Sequence, residues 1–192
     1  MIKSWAPSVL VGLVLCASPL WLWAVPLRWY FLKADDFVYI ARSRTPAALS
    51  KYLLAAHNGH VVPLFRLETH LLTRLAGSME AIPGVLGWAS YATLLMAMAA
   101  VGHLVARETG RMTPGLAAMA AVGLSTVLGP ALLWYSAGQA LAAGTMVILM
   151  LIALQSWRMT GAGWAFAMAM VATLAAPMLW SGGFAAGPVG IA

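Results

Sequence analysis

The stretch IPGVLGWASYATLLMAMAAVGHLVA, residues 82–106, contains no lysine, arginine, aspartate or glutamate. An α-helix rises about 1.5 Å per residue, so roughly 20 apolar residues cross the hydrocarbon core of a bilayer. The stretch is therefore long enough to span a membrane. The whole chain has a similar character, because 62% of its 192 residues are hydrophobic and 8% are charged, against about 25% charged residues in soluble domains. We expect an all-α integral membrane protein.

Four other segments are apolar enough to be spans, and they predict a multi-span helical bundle. The five predicted spans cover residues 6–27, 82–106, 115–134, 138–157 and 164–180. A cleaved signal peptide is the alternative for the first segment, but its apolar run exceeds the roughly 7–15 residues typical of such peptides. Residues 182–192 begin a partial sixth span. We expect residues 1–192 to form a single transmembrane domain, the truncated front part of a larger bundle.

Tryptophans support the predicted spans, and basic residues indicate the orientation. Tryptophan prefers the membrane–water interface, and all 9 tryptophans lie near the end of a predicted span. The connection 28–81 holds 7 of the 11 lysines and arginines, which by simple count favours a cytoplasmic location for it. Long connections weigh little in the positive-inside rule, however, and the short loops favour a cytoplasmic N-terminus. We expect a multi-pass protein of the inner (plasma) membrane, with residues 28–81 as the first extracytoplasmic loop.

Two amphipathic surface helices are predicted in this loop, at residues 45–57 and 63–76. Thr45-Pro46 is typical of an N-cap followed by proline at the first helical position, and Asn58-Gly59 predicts the end of the first helix. In the second helix Leu64, Leu67, Leu71, Leu72 and Leu75 share one face, and Arg66, Thr69, His70 and Thr73 share the opposite one. Such a helix suits a membrane surface or the cover of a bundle. Glu68 interrupts the leucine face and therefore needs a basic partner or a wet cavity.

Asp35 and Asp36 are the first candidates for chemistry. They are 2 of only 5 acidic residues, and they follow the first predicted span closely. A carboxylate at a membrane surface can act as a general base for a hydroxyl nucleophile, bind a metal or pair with arginine. Adjacent residues do not share a face of a helix or strand, so the two are not expected to act as one paired acid. The alternatives are a solvated loop pair or an N-cap for a helix starting near Phe37.

The stretch HNGHVVPLFRLETH, residues 57–70, is the second candidate. His57, His60 and Arg66 near the lipid headgroups could contact phosphate, and interface anchoring is the alternative. Three histidines lie in this stretch, but no cysteine or other clear ligand completes a zinc site, so no metal or other cofactor is predicted. The lysines and arginines form no block, which argues against a nucleic-acid partner.

In their order along the chain, these features resemble the N-terminal part of a type C (GT-C) integral-membrane glycosyltransferase. The resemblance is to the protein-mannosyltransferase and aminoarabinose-transferase type, which includes glycosyltransferase family 39-like bacterial proteins. Residues 57–67, HNGHVVPLFRL, are similar to an H-x-G-H-x-x-P-L-x-R-L pattern of such bacterial members. Residues 133–144, LWYSAGQALAAG, resemble their turn between the third and fourth spans. Residues 182–192, GGFAAGPVGIA, resemble a later turn.

This resemblance implies transfer of a sugar from a polyprenyl-phosphate donor to an extracytoplasmic hydroxyl of a glycan, lipid or protein acceptor. Asp35 would be the base or would orient the acceptor, and Asp36, where the mannosyltransferases more often have glutamate, would assist. His57, His60 and Arg66 could approach the lipid phosphate. Full members of the family have more spans than this chain.

A non-enzymatic membrane protein is the alternative, either an assembly subunit or a transporter fragment. Transporters usually place polar residues inside their spans near the midplane. The predicted spans hold almost none, apart from His103 and Gln139 near their ends. This pattern argues against transport but not against a role in assembly.

Overall fold

The computed structural model describes residues 6–28 and 30–180, which form helices and no β-strand. In chain order the helices are α1 (Ala6–Arg28), α2 (Asp35–Ser43), α3 (Pro46–Tyr52), α4 (Pro63–Ala76), α5 (Ile82–Thr109), α6 (Met112–Gly123), α7 (Gly129–Leu133), α8 (Tyr135–Thr160) and α9 (Gly163–Leu179). The predicted all-α class is confirmed for these residues. The partial sixth span predicted in residues 182–192, together with Trp5 and Trp29, lies outside the described residues.

Two of these helices, α5 and α8, are long and apolar enough to cross a membrane. A third candidate is the pair formed by α6 and the segment Thr126–Leu133, which is bent by 45°. Leu10–Trp23 within α1 and the helix α9 are apolar but shorter. Within the described part of the chain, length and composition therefore support two spans, or three if the bent pair crosses as one. The five spans predicted from the sequence are not shown.

The segment predicted as one span at residues 115–134 is broken in the structure. Helix α6 ends at Gly123, Ser125 has an extended backbone, and a 3-10 turn precedes α7. Pro130 lies in the first turn of α7, where its missing N–H costs no helical hydrogen bond. Gly129 and Pro130 therefore favour the start of a second helix here over one continuous helix.

Small residues bring the long helices into close contact. A Cβ atom added to Gly115 on α6 would lie 2.5 Å from the carbonyl oxygen of Gly102 on α5, so only glycine allows this approach. Between α8 and α9 the buried side chains are Met150, Ala153, Ala169, Ala172 and Ala176. The four alanines at these contacts let the two helices pack closely.

Residues 30–81, which we call the cap, pack on one end of this bundle. Helix α2 contacts α3, α4 and α8, and α4 also contacts α5 and α9. Aromatic side chains join the cap to the bundle: the Phe65 ring lies 5.0 Å from Tyr39 and 4.8 Å from Tyr135 at the start of α8, measured between centroids. The predicted loop is therefore a helical layer with a shared core, and α2 adds a helix to the two that were predicted as surface helices.

Helix α3 confirms its predicted start but not its predicted end. Thr45 Oγ1 accepts a hydrogen bond from Ala48 N at 3.2 Å, and Pro46 is the first helical residue. The helix ends at Tyr52 rather than at Asn58-Gly59. The carbonyls that a longer helix would use are taken by the side chain of Arg66, as described below.

Helix α4 turns its polar face toward the protein interior, where Leu64 and Leu72 also pack, and turns only part of its leucine face outward. Arg66, Thr69 and Thr73 are buried. The outward face is formed by Leu67, Leu71 and Leu75, which are 41%, 58% and 75% exposed. An exposed leucine row on a cap helix next to helices long enough to span a membrane is suited to contact with lipid.

Candidate functional site

The structure brings Asp35 and His57 together at the surface of the cap. Asp35 is the first residue of α2, and its Oδ1 lies 3.5 Å from His57 Nε2. Asn58 Nδ2 donates a hydrogen bond of 3.1 Å to Asp35 Oδ2. The Asp35 side chain is 38% exposed and that of His57 is 15% exposed, so a molecule from solvent can reach the carboxylate. We call these two side chains the Asp35–His57 pair.

A tight turn presents His57 to Asp35. His57 and His60 exchange two backbone hydrogen bonds of 2.9 Å. The residues between them, Asn58 and Gly59, have φ angles of 50° and 78°. Positive φ at both central positions defines a type I′ turn, for which Asn-Gly is the preferred dipeptide. The sequence therefore encodes a hairpin-like turn at the point where a helix end was predicted.

Aromatic rings surround the His57 imidazole. The Tyr39 ring meets it edge-on with centroids 5.2 Å apart, and the Tyr52 ring does so at 6.3 Å. Burial raises the pKa of both tyrosines above the ordinary value, so each phenol stays neutral at physiological pH. The imidazole is thus held between neutral rings on one side and the carboxylate on the other. The pair therefore places a carboxylate and an imidazole, two side chains used in general acid–base catalysis, 3.5 Å apart.

Asp36 lies apart from this pair although it is the next residue. Its side chain is fully buried. Oδ1 accepts a hydrogen bond of 2.8 Å from Ser136 N, and Oδ2 accepts one of 2.9 Å from Lys33 N. Ser136 belongs to the first turn of α8, where free N–H groups and the helix dipole favour a carboxylate. The geometry gives Asp36 the role of fixing α2 on α8, and a catalytic role for it stays a prediction.

Arg66 is also fully buried, and its guanidinium faces the interior of the cap. Nη1 donates to the carbonyls of Tyr52, Leu53 and Ala55 at 2.5, 3.0 and 2.5 Å, and Nη2 donates to the carbonyl of His60 at 3.4 Å. The guanidinium also lies 3.9 Å from the centre of the Tyr52 ring. It thus satisfies the carbonyls at the C-terminal end of α3, where a positive charge is favourable. The phosphate contact predicted for Arg66 stays a prediction, since the observed contacts position the turn.

His60, at the other end of the turn, contacts Trp180. Its ring stacks on Trp180, just after α9, with centroids 4.6 Å apart and an angle of 30° between the planes. The turn therefore links the cap to the end of α9. Among the residues that the structure describes, no group of three or more histidine, cysteine, aspartate or glutamate side chains could hold a metal ion.

Glu68 lines a narrow cleft between the cap and the bundle. The cleft also holds the polar side chains of Ser90, Thr93 and Gln139. Burial raises the pKa of Glu68 above the ordinary carboxyl value. No basic side chain pairs with Glu68 within residues 6–28 and 30–180. The sequence left open a basic partner or a wet cavity for Glu68, and the structure places it in a cleft that is lined in part by polar side chains.

Sequence reasoning missed Tyr39 and Asn58 as members of the site. Nothing in the pattern around Tyr39 marks it, because its contact with His57 joins α2 to a turn beyond α3. Asn58 could have been found, since Asn-Gly between two histidines is a strong signal of a type I′ turn. The sequence predicted a turn between two spans at Tyr135–Ser136, but the contact of this turn with Asp36 joins residues 100 positions apart and has no local signature.

Comparison with known protein families, curated proteins and solved structures finds no match for this chain. The resemblance to GT-C enzymes accordingly stays a prediction.

Proposed function

We propose that this chain is a membrane glycosyltransferase of the GT-C type, with motifs that correspond to the N-terminal part of such enzymes. It would transfer a sugar from a polyprenyl-phosphate donor to a hydroxyl of an extracytoplasmic acceptor. The observation that carries the proposal is the solvent-accessible Asp35–His57 pair, held on a rigid helical cap beside helices able to span a membrane.

In this proposal Asp35 is the general base. Its carboxylate accepts the proton of the acceptor hydroxyl as the hydroxyl oxygen bonds to the anomeric carbon of the sugar. The bond between that carbon and the phosphate oxygen breaks, and polyprenyl phosphate leaves with the electron pair. His57, 3.5 Å from the carboxylate, can receive the proton from Asp35 and release it to water. Asp36 and Arg66 support the step indirectly, by fixing α2 and the turn that carries His57.

The location of the pair fits the physical states of the two substrates. A lipid-linked donor lies in the membrane, whereas the acceptor arrives from water. The outward leucines of α4 suit the membrane interface, and the exposed part of Asp35 faces solvent. In this proposal His60, on the same turn as His57, contacts the donor phosphate. The basic residues of the cap would offset the charge of that phosphate.

The finer topology belongs to the same proposal. We propose five spans, a cytoplasmic N-terminus and a cap on the extracytoplasmic face of the plasma membrane. The tryptophans near the helix ends and the basic residues of the short connections support this arrangement.

Replacement of Asp35 tests the function. Membranes that contain the full chain are incubated with a panel of polyprenyl-phosphate hexoses and pentoses, and the release of polyprenyl phosphate is measured. We expect Asp35→Asn to lower that release about 100-fold or more, the usual contribution of a general base, at unchanged membrane insertion. Glu80→Gln, which removes an exposed carboxylate from the same cap, is the matched control and should react like the wild type.

Two results would contradict this proposal. If no donor of the panel is cleaved by the wild type, the chain acts as a non-enzymatic membrane protein, such as an assembly subunit. If Asp35→Asn cleaves the donor at the wild-type rate, Asp35 is not the base.

A further inference from the structure

A second polar site lies at the far end of the cap from the Asp35–His57 pair. A groove of about 470 Å³ opens where α2 ends, α4 ends and α5 begins. Arg44, Thr45, Arg74 and Ser78 supply its polar wall, and Met79 and Ile82 supply an apolar one. Because α2 has nine residues and rises about 1.5 Å per residue, Arg44 is about 13 Å along the helix from Asp35. The groove is therefore a separate site.

The groove has two guanidinium groups with no partner among the residues that the structure describes. Arg44 and Arg74 are exposed, and within the described ranges, 6–28 and 30–180, neither side chain makes a hydrogen bond, an ion pair or a ring contact. No carboxylate lines the groove. The nearest one in sequence, Glu80, is fully exposed and is engaged by Ser78 and by its own backbone N–H, which lower its pKa. Two unpaired guanidinium groups in one concave site attract an anion.

Helix dipoles explain why each arginine lies at the C-terminal end of a helix, but they do not explain why both arginines line the same groove. Arg44 follows the last residue of α2, and Arg74 lies in the last turn of α4, where cations are favourable. That effect needs no concave surface and no second arginine. The planar fork of a guanidinium matches two oxygens of a phosphate, and a pair of such forks can bind several of its oxygens at once.

The remaining walls favour a phosphate attached to an apolar molecule. Thr45 Oγ1 accepts from Ala48 N, which leaves its own O–H free to donate to a ligand. On the other side Met79 is about half exposed, and Ile82 begins α5, one of the two helices that can span a membrane. A polar pocket thus continues into an apolar surface at the end of a spanning helix.

We propose that this groove binds a phosphate group, provided either by the headgroup of a membrane lipid or by a free phosphate compound. Arg44 and Arg74 bind the phosphate oxygens, and Thr45 donates a hydrogen bond to them. The inference does not depend on glycosyl transfer, because the groove and the Asp35–His57 pair lie at opposite ends of α2.

Binding measurements with the purified full chain test the site. In one arm, native mass spectrometry compares retention of phosphatidylglycerol and phosphatidylcholine. In the other arm, calorimetry measures binding of inorganic phosphate and glycerol phosphate. The variant Arg44→Gln/Arg74→Gln should weaken binding at least tenfold. Arg44→Lys/Arg74→Lys, which keeps the charge but loses the fork, should weaken it less. The control Arg42→Gln/Lys51→Gln removes two positive charges from exposed cap positions outside the groove and should bind like the wild type.

The two arms identify the source of the phosphate. Retention of lipid alone assigns the groove to a headgroup, and binding of the soluble compounds in the second arm assigns it to a free phosphate. The proposal is overturned if the wild type binds none of the four probes. It is also overturned if the control variant loses binding as strongly as Arg44→Gln/Arg74→Gln. Phosphate binding would then depend on the total positive charge of the cap and not on the groove. Elution of all variants as the same monodisperse species excludes misfolding as the cause.

Discussion

Adjacent acidic residues have opposite environments in this protein. Successive residues of a helix point about 100° apart, so Asp35 and Asp36 at the start of α2 cannot share a direction. Asp36 points into the protein and caps α8, whereas Asp35 reaches solvent and His57. The sequence predicted that the two would diverge, but not which one would be buried. Which aspartate is buried depends on the position of the first turn of α8, and the local sequence around Asp35 and Asp36 does not predict that position.

Glu68 makes stability depend on pH in a defined direction. Burial raises its pKa above the value of 4.5 in an unfolded chain, so the folded state favours the protonated form. The associated stability is fully present below about pH 4.5 and is lost as the pH rises through the higher pKa of the folded state. We expect Glu68→Gln, which stays neutral, to unfold at the same temperature as the wild type near pH 4 and at a higher temperature near pH 8.

Thermal unfolding followed by tryptophan fluorescence in detergent measures this difference. Glu80→Gln is the control of opposite sign, because the pKa of Glu80 is lowered by hydrogen bonds to its carboxylate. It should show no gain in stability at the higher pH. A difference between Glu68→Gln and the wild type that stays constant from pH 4 to pH 8 would contradict burial of an ionisable Glu68.

At the scale of the element, the ends of the helices were easier to predict than which face of each helix is buried. Helix α4 begins and ends at the predicted residues, 63 and 76, because proline and glycine mark its ends locally. Its faces could not be assigned in the same way. A leucine row is a core face in water but suits either the core or the lipid in a membrane. The end of α3 was mispredicted because Arg66, distant in sequence, binds its last carbonyls.

The inward polar face of α4 gives a prediction at this scale. Thr69 Oγ1 donates to the Phe65 carbonyl at 2.8 Å and lies 3.1 Å from Tyr135 Oη on α8. Thr69→Val would leave the buried phenol without this partner, at a cost of about 1–3 kcal/mol in the free energy of unfolding. Leu71→Ala, on the outward face, should cost less, since its side chain is mostly exposed.

A double-mutant cycle isolates the contact between α4 and α8. Tyr135→Phe removes the other hydroxyl, so Thr69→Val/Tyr135→Phe has no unsatisfied group and should be more stable than the sum of the single changes predicts. Unfolding in a titration with sodium dodecyl sulfate measures all three variants. Additive losses would mean that the two hydroxyls do not interact.

For the whole molecule, the cap and the opposite end of the bundle define an axis. Helices α5 and α8 both begin at the cap, and both end in a turn with a glycine in the left-handed region, Gly110 and Gly161. Their 28 and 26 residues correspond to about 40 Å, enough to cross a bilayer with its interfaces. The apolar composition predicted both of these long helices. Of the five predicted spans, two are supported, or three if the bent pair crosses as one, because the apolar helices Leu10–Trp23 and Gly163–Leu179 are shorter.

Labelling from one side of the membrane tests this axis. With Cys16 replaced by alanine, single cysteines are introduced by Ser50→Cys in the cap and Arg158→Cys near the end of α8, both at exposed positions. Because the two positions lie at opposite ends of helices that can cross the bilayer, a membrane-impermeant thiol reagent added to intact cells should reach only one of them. In the proposed orientation it labels Ser50→Cys, and Arg158→Cys reacts only after lysis. The reverse result would place the cap in the cytoplasm, away from an extracytoplasmic acceptor. Labelling of both in intact cells would show that α8 does not span the membrane.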